Sequence, residues 1–156
     1  EEHPNGGIMN MKTNTAIGDL SVCKDAANQF YMIAQKCMGK SIADYFMTGF
    51  YPYAVNLAFA CELYMKAIMI YRSSKKEFCK GHDLYELFFC LDIVDKQYIK
   101  REFDTKNPSK NLDEFLTEDG KTFVDWRYAL EKPVAMNLTG FQTLSEILKN
   151  YVETLK

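Results

Sequence analysis

Apolar residues recur at three- and four-residue steps along most of the chain. Between Asp19 and Met38, the residues Cys23, Ala26, Ala27, Phe30, Ala34, Cys37 and Met38 share one face. That spacing predicts an amphipathic helix whose stripe meets a core. Gly39 offers it a stop. A short aromatic piece, Ile42 to Phe46, follows and closes at Gly49. From Pro52, whose missing N–H costs nothing in a first helical turn, the pattern changes. Tyr53 to Tyr71 is apolar nearly all round, and a helix of that kind lies in the middle of a bundle, touched on several sides.

After a connector from Arg72 to Gly81, His82 and Asp83 start a third helix, with Asp83 and Glu86 spaced as a capping box. Its stripe is Leu84, Leu87, Phe88 and Leu91. A short helix from Val94 to Phe103 turns Val94, Tyr98 and Ile99 inward, and Asn107-Pro108-Ser109 marks a loop. The next helix, Leu112 to Glu131, carries Phe115, Leu116, Phe123, Trp126 and Leu130, with Gly120 as a point of bending or breakage. Residues 132–138 fit either a loop or an extended piece. The last helix opens at Thr139, paired with Gln142 in a second capping box, and buries Phe141, Leu144, Leu148, Tyr151, Val152 and Leu155.

These elements predict an all-α fold, an antiparallel helical bundle of four long helices plus short ones. Residues 1–14 read as a mobile N-terminal tail, with Met9 or Met11 as a candidate start, and residues 15–156 as one domain. A chain of 156 residues, 47% hydrophobic and 14% aromatic with only eight glycines and four prolines, has the apolar area for a core without staples. It can bury roughly 70% of its unfolded surface.

Charge and cysteine usage narrow the function classes. A net charge of −2 disfavours sequence-independent DNA wrapping, which calls for a strongly basic surface. The segment Arg72 to Lys80, with Arg72, Lys75, Lys76 and Lys80 against Glu77, reads as a solvated loop or a local basic site. Five widely spaced cysteines, Cys23, Cys37, Cys61, Cys79 and Cys90, form no Cys-x-x-Cys pair. They fit small hydrophobes in a reducing, cytoplasmic compartment better than disulfides. Two histidines and no clustered thiols predict no metal site and no cofactor. The start of the chain has no apolar run of the signal-peptide kind. Ala54 to Tyr71 is interrupted by Asn56, Glu62 and Lys66, short of the ~18 continuous apolar residues of a membrane span.

The polar interruptions are the candidate chemistry. Glu62 and Lys66 stand four apart and share a helix face, so they can pair. They form either a structural ion pair or a charged wall facing a groove, with His82, Asp83, Arg127 and Glu131 as candidate partners. His82 at a helix start could contact a phosphate beside exposed amides. Arg127, between Trp126 and Tyr128, can stack on a base and grip a phosphate, or pair with Glu131.

Three segments carry a family resemblance. They are Leu57-Ala58-Phe59-Ala60-Cys61-Glu62-Leu63-Tyr64-Met65-Lys66-Ala67, then Gly81-His82-Asp83-Leu84 with Leu87-Phe88 behind it, then Phe123-Val124-Asp125-Trp126-Arg127-Tyr128. Together, in this order, they resemble the HEPN superfamily of helical-bundle proteins over roughly residues 16 to 155. The resemblance implies an all-α bundle, a homodimer, and binding of nucleotide, RNA or a partner protein, in a toxin–antitoxin or antiphage defence setting. Ribonuclease members carry an Arg followed, after four to six residues, by His. Here no histidine follows Arg127 or Arg101, and Arg72 stands too far ahead of His82.

RNA cleavage through the 2′-hydroxyl needs a proton acceptor active near neutral pH, and His82 is the one candidate. The leading expectation is therefore a non-catalytic module whose ligand-binding residues are Glu62, Lys66, His82, Asp83, Arg127, Tyr128 and Glu131. The alternatives are an endoribonuclease built on His82 and Arg127, or a structural, dimerising domain. A binding module needs an open basic groove. The enzyme needs Glu62, Lys66, His82 and Arg127 to converge, and the structural domain predicts mutually satisfied charges and an apolar outer patch.

Overall fold

The computed structural model describes residues 14–38, 41, 43, 49–121 and 137–156. The expectations for residues 1–13, the Ile42–Phe46 piece, Phe123, Trp126, Arg127, Tyr128, Leu130, Glu131 and residues 132–136 lie outside them. The described chain is mostly helical. Its elements are β1 (Thr15–Ile17), α1 (Leu20–Lys36), α2 (Phe50–Arg72), β2 (Glu77–Cys79), α3 (Leu84–Phe89), α4 (Ile93–Lys106), α5 (Leu112–Asp119) and α6 (Leu138–Thr154).

Helix α2 occupies the centre because its sequence leaves no polar face to give to water. Ala54, Leu57, Ala58, Ala60, Cys61, Met65, Ala67 and Ile68 are all buried, with α1, α6, β2 and α3 packed against the helix. Small residues on α2 let neighbours approach, while Phe103, Phe115 and Phe141 from α4, α5 and α6 fill the space beyond. The Phe103 and Phe115 rings stack at 5.4 Å, and Phe115 meets Phe141 edge-on at 5.0 Å, arrangements worth more than their buried area alone. Helix α2 is long and apolar enough to cross a membrane by length and composition, yet 78% of its apolar window is buried inside the fold.

Local signals set the ends. Asp19 caps α1, its Oδ1 accepting from Val22 N at 2.9 Å, and such a cap contributes about 1 kcal/mol. Helix α5 opens on a full capping box between Asn111 and Glu114 and stops at Gly120, so the expected 112–131 helix breaks at that glycine. Two other caps differ from expectation. Helix α6 begins at Leu138, capped by Asn137 onto Gly140 N, and Thr139 stands inside its first turn. Asp83 does cap α3, but its side chain accepts from Tyr85 N.

Three further corrections concern which way residues face. The connector after α2 is not simply a solvated loop: β2 pairs antiparallel with β1, Ala16 opposite Phe78, adding a two-stranded ribbon to an otherwise helical chain. Met38 is exposed, because α1 ends at Lys36 before the stripe reaches it. Val94 is also exposed while Asp95, its neighbour, is fully buried. A single residue step rotates a helix by about 100°, so placing Asp95 inward turns Val94 out.

Candidate functional site

Two of the four carboxylates buried among the described residues, Glu62 and Asp95, each gather partners from distant positions. The first is Glu62, on α2. Lys66, one turn on, donates to Glu62 Oε1 at 2.6 Å and to the Gly81 carbonyl at 2.9 Å, and its ammonium lies 5.6 Å from the Phe78 ring centroid. His82 Nδ1 sits 3.1 and 3.0 Å from the two Glu62 oxygens. Glu62 and Lys66 are both buried. The His82 side chain is 51% exposed, so the cluster runs from the core to the surface and ends in an imidazole.

The backbone that presents His82 depends on Gly81, whose φ of +124° lies where L side chains rarely go. A methyl group there would meet nothing within 4 Å, so the requirement is conformational, not steric. This turn aims the Gly81 carbonyl at Lys66 and puts the imidazole over Glu62. With Glu62 accepting at Nδ1, the ring's other nitrogen, Nε2, lies on the side away from the carboxylate.

Asp83 follows but faces elsewhere. Its Oδ1 accepts from Tyr85 N at 2.9 Å, and Lys121 Nζ lies 3.7 Å from Oδ2. Leu84 N donates to the Gly120 carbonyl. Two of the amides that the sequence offered to a phosphate at this helix start are thus used within the chain, and Asp83 acts as a cap. The structure brings Glu62, Lys66 and His82 together. Arg127, Tyr128 and Glu131 lie outside the described residues.

The second carboxylate, Asp95 on α4, has no place among the sequence candidates. Arg72, the last residue of α2, donates to it from Nη2 at 2.7 Å and from Nε at 3.1 Å, and Tyr151 of α6 adds its hydroxyl at 2.5 Å. Tyr98 stacks on Tyr151 at 4.6 Å. The Asp95 hydrogen bond and charge hold the Arg72 guanidinium above its ordinary value, while burial first and then Asp95 raise Tyr151. The signal that could have exposed this network is Asp95 itself, an acid at a stripe position beside an apolar Val94.

Burial favours the protonated form of two thiols on α1 and α2. Burial pushes Cys23 up to about 11, with Lys66 and Glu62 as smaller opposing influences, and its thiol donates to the Leu63 carbonyl at 3.2 Å. Burial also raises Cys61. No group of three or more His, Cys, Asp or Glu side chains among the described residues is arranged to hold a metal ion.

No protein-family model matches the chain, and neither a curated protein nor a solved structure is significantly similar to it.

Proposed function

We propose that the chain is a non-catalytic HEPN-type module, an antiparallel bundle of four long helices plus short ones, that binds nucleotide or RNA. The observation that carries this reading is the state of Glu62. A carboxylate that orients a catalytic histidine works by stabilising the imidazolium that forms during proton transfer. Here Glu62 is held by Lys66 of its own helix at 2.6 Å, so it is a shared structural acceptor and not a partner dedicated to His82. The same contact fixes the imidazole in direction at the mouth of the cluster, which suits it to hydrogen-bond a phosphate or base edge. In this reading Glu62 and Lys66 are the scaffold and His82 is a contact. Arg127, with Trp126 and Tyr128, supplies the grip on phosphate and base. The setting is cytoplasmic, within toxin–antitoxin or antiphage defence.

The test is binding of fluorescein-labelled single-stranded RNA and of ATP, followed by anisotropy and calorimetry. Removing a charged phosphate contact should weaken binding by about tenfold or more in Arg127→Ala, with a smaller loss in His82→Ala. Absence of any binding by the unaltered, folded protein overturns the reading.

A second reading, a structural dimerising domain, is favoured by one observation. Phe89, Ile93 and Val94, between the end of α3 and the start of α4, are 63–65% exposed, an apolar cluster of the kind that marks an interaction surface. A second copy of the chain is the partner the resemblance implies. Light scattering should then return twice the monomer mass, and Ile93→Lys should return the monomer.

A further inference from the structure

Phe78 is the middle residue of β2, opposite Ala16 on β1. Backbone bonds from Gly18 N to the Lys76 carbonyl and from Lys80 N to the Asn14 carbonyl, both 2.9 Å, close the ribbon on either side of that pair. The Phe78 ring lies close over Gly18. A methyl group at that glycine would come within 3.0 Å of the ring and 2.7 Å of Ile70 Cδ1, so β1 makes room for the ring beside α2. On that helix the ring meets Lys66, whose Nζ lies 5.6 Å from its centroid. An ammonium is drawn to an aromatic face at such a distance, and more strongly where water is excluded. Lys66 is buried. Of its three N–H donors, one goes to Glu62 at 2.6 Å and one to the Gly81 carbonyl at 2.9 Å, and the ring face is its third neighbour.

We propose that Phe78 is a positioning residue for the His82 site, holding the imidazole over Glu62 through Lys66 and the Gly81 carbonyl. The two Lys66 hydrogen bonds are unequal. The one to Glu62 joins two charges, while the one to Gly81 joins a charge to a neutral carbonyl and is the weaker. Without an aromatic face beside it, the ammonium gives up the weaker bond first. The Gly81 turn, at a φ of +124°, then loses its tie to α2. His82, the next residue, loses its fixed place 3.0 Å from Glu62. An aliphatic side chain would cover the same wall but has no ring quadrupole to attract the ammonium. This position therefore calls for an aromatic residue, for a reason separate from packing. The positioning stands on geometry alone, and only its effect on a ligand rests on the binding reading above.

The test compares Phe78→Leu with Phe78→Tyr in the full chain by NMR at one pH. The signals followed are the Gly81 carbonyl carbon and the His82 ring nitrogens, on which ring currents weigh little. In Phe78→Leu both should shift, and in Phe78→Tyr both should return to their wild-type positions. A folded Phe78→Leu protein whose Gly81 and His82 signals stay in place overturns the assignment. So does a His82 shift with an unmoved Gly81 carbonyl, since the route through Lys66 is then wrong, and so does a Tyr variant no closer to wild type than Leu. Should Phe78→Leu fail to fold by circular dichroism, the unaltered chain decides instead. Its Lys66 ε-methylene protons should lie upfield of an ordinary lysine's because they sit near the ring face, and an unshifted position overturns the proposal. Fluorescein-labelled single-stranded RNA then separates the two readings. Phe78→Leu should lose as much affinity as His82→Ala, and full affinity in Phe78→Leu overturns the positioning role. An unaltered protein that binds no RNA sinks the binding reading and leaves the positioning role to be decided by the NMR shifts.

Discussion

Glu62 and Asp95 are both carboxylates inside a helical bundle, each with a basic partner, and they are built for different ends. Asp95 draws Arg72 from α2 and Tyr151 from α6 onto α4, so its bonds join three elements. Glu62 draws Lys66 from its own helix and His82 from the connector before α3. Among the described residues that arrangement ties a helix to a connector. It carries a charge-balanced path outward to a half-exposed ring. The lesson is that burial of a charge does not by itself mark a site. What distinguishes the two is where the carboxylate's partners come from: other helices for Asp95, its own helix and a connector for Glu62.

The comparison breaks most readily at Arg72. Arg72→Ala leaves Asp95 fully buried without its counter-charge, and uncompensated buried charges of this kind cost about 3–5 kcal/mol. Urea unfolding should show that loss. Arg72→Lys should recover only part of it, since an ammonium cannot replace the paired Nε and Nη2 donors. At the other cluster Glu62→Gln should cost less, about 2 kcal/mol, because Lys66 keeps the Gly81 carbonyl and a neutral acceptor. An effect at Glu62 as large as that at Arg72 would erase the distinction between clamp and path.

Gly81→Ala sharpens the same point from the backbone side. With no steric clash at the position, its cost comes only from the positive φ and should be about 1–3 kcal/mol. His82 ring signals in NMR should shift as the turn relaxes. The smallest effect is on pH dependence. Cys23 and Cys90 are held protonated to about 11 and about 12 against an ordinary thiol value of 9.0. Above that ordinary value the unfolded chain releases these protons and the folded chain does not. Stability present below it therefore falls as pH rises, and the melting temperature at about pH 10 should lie below that at about pH 8.

The helical framework was legible because it is local. Three- and four-residue periodicity located α1, α2 and α6, and the absence of a polar face on α2 placed it at the centre. The Glu62–Lys66 pair is legible for the same reason, a separation of four. What escaped depends on distance along the chain. The β1–β2 ribbon pairs three-residue strands some sixty positions apart, too short for alternation to show. Arg72 meets Asp95 across a connector and a whole helix, so Val94 read as core and Asp95 drew no reading at all. Caps fell between these extremes: Asn137 and Thr139 are both competent, and side-chain chemistry alone does not choose between positions two apart.

The central claim, a binding module without catalysis, is tested most directly by incubating single-stranded RNA with the unaltered protein in EDTA. Loss of effective general-base help is typically worth ~100- to 10,000-fold in rate, so the account predicts RNA that is bound and recovered intact. Robust cleavage, abolished in His82→Ala and Arg127→Ala proteins that still fold, would contradict it and make the Glu62–His82 pair a catalytic dyad.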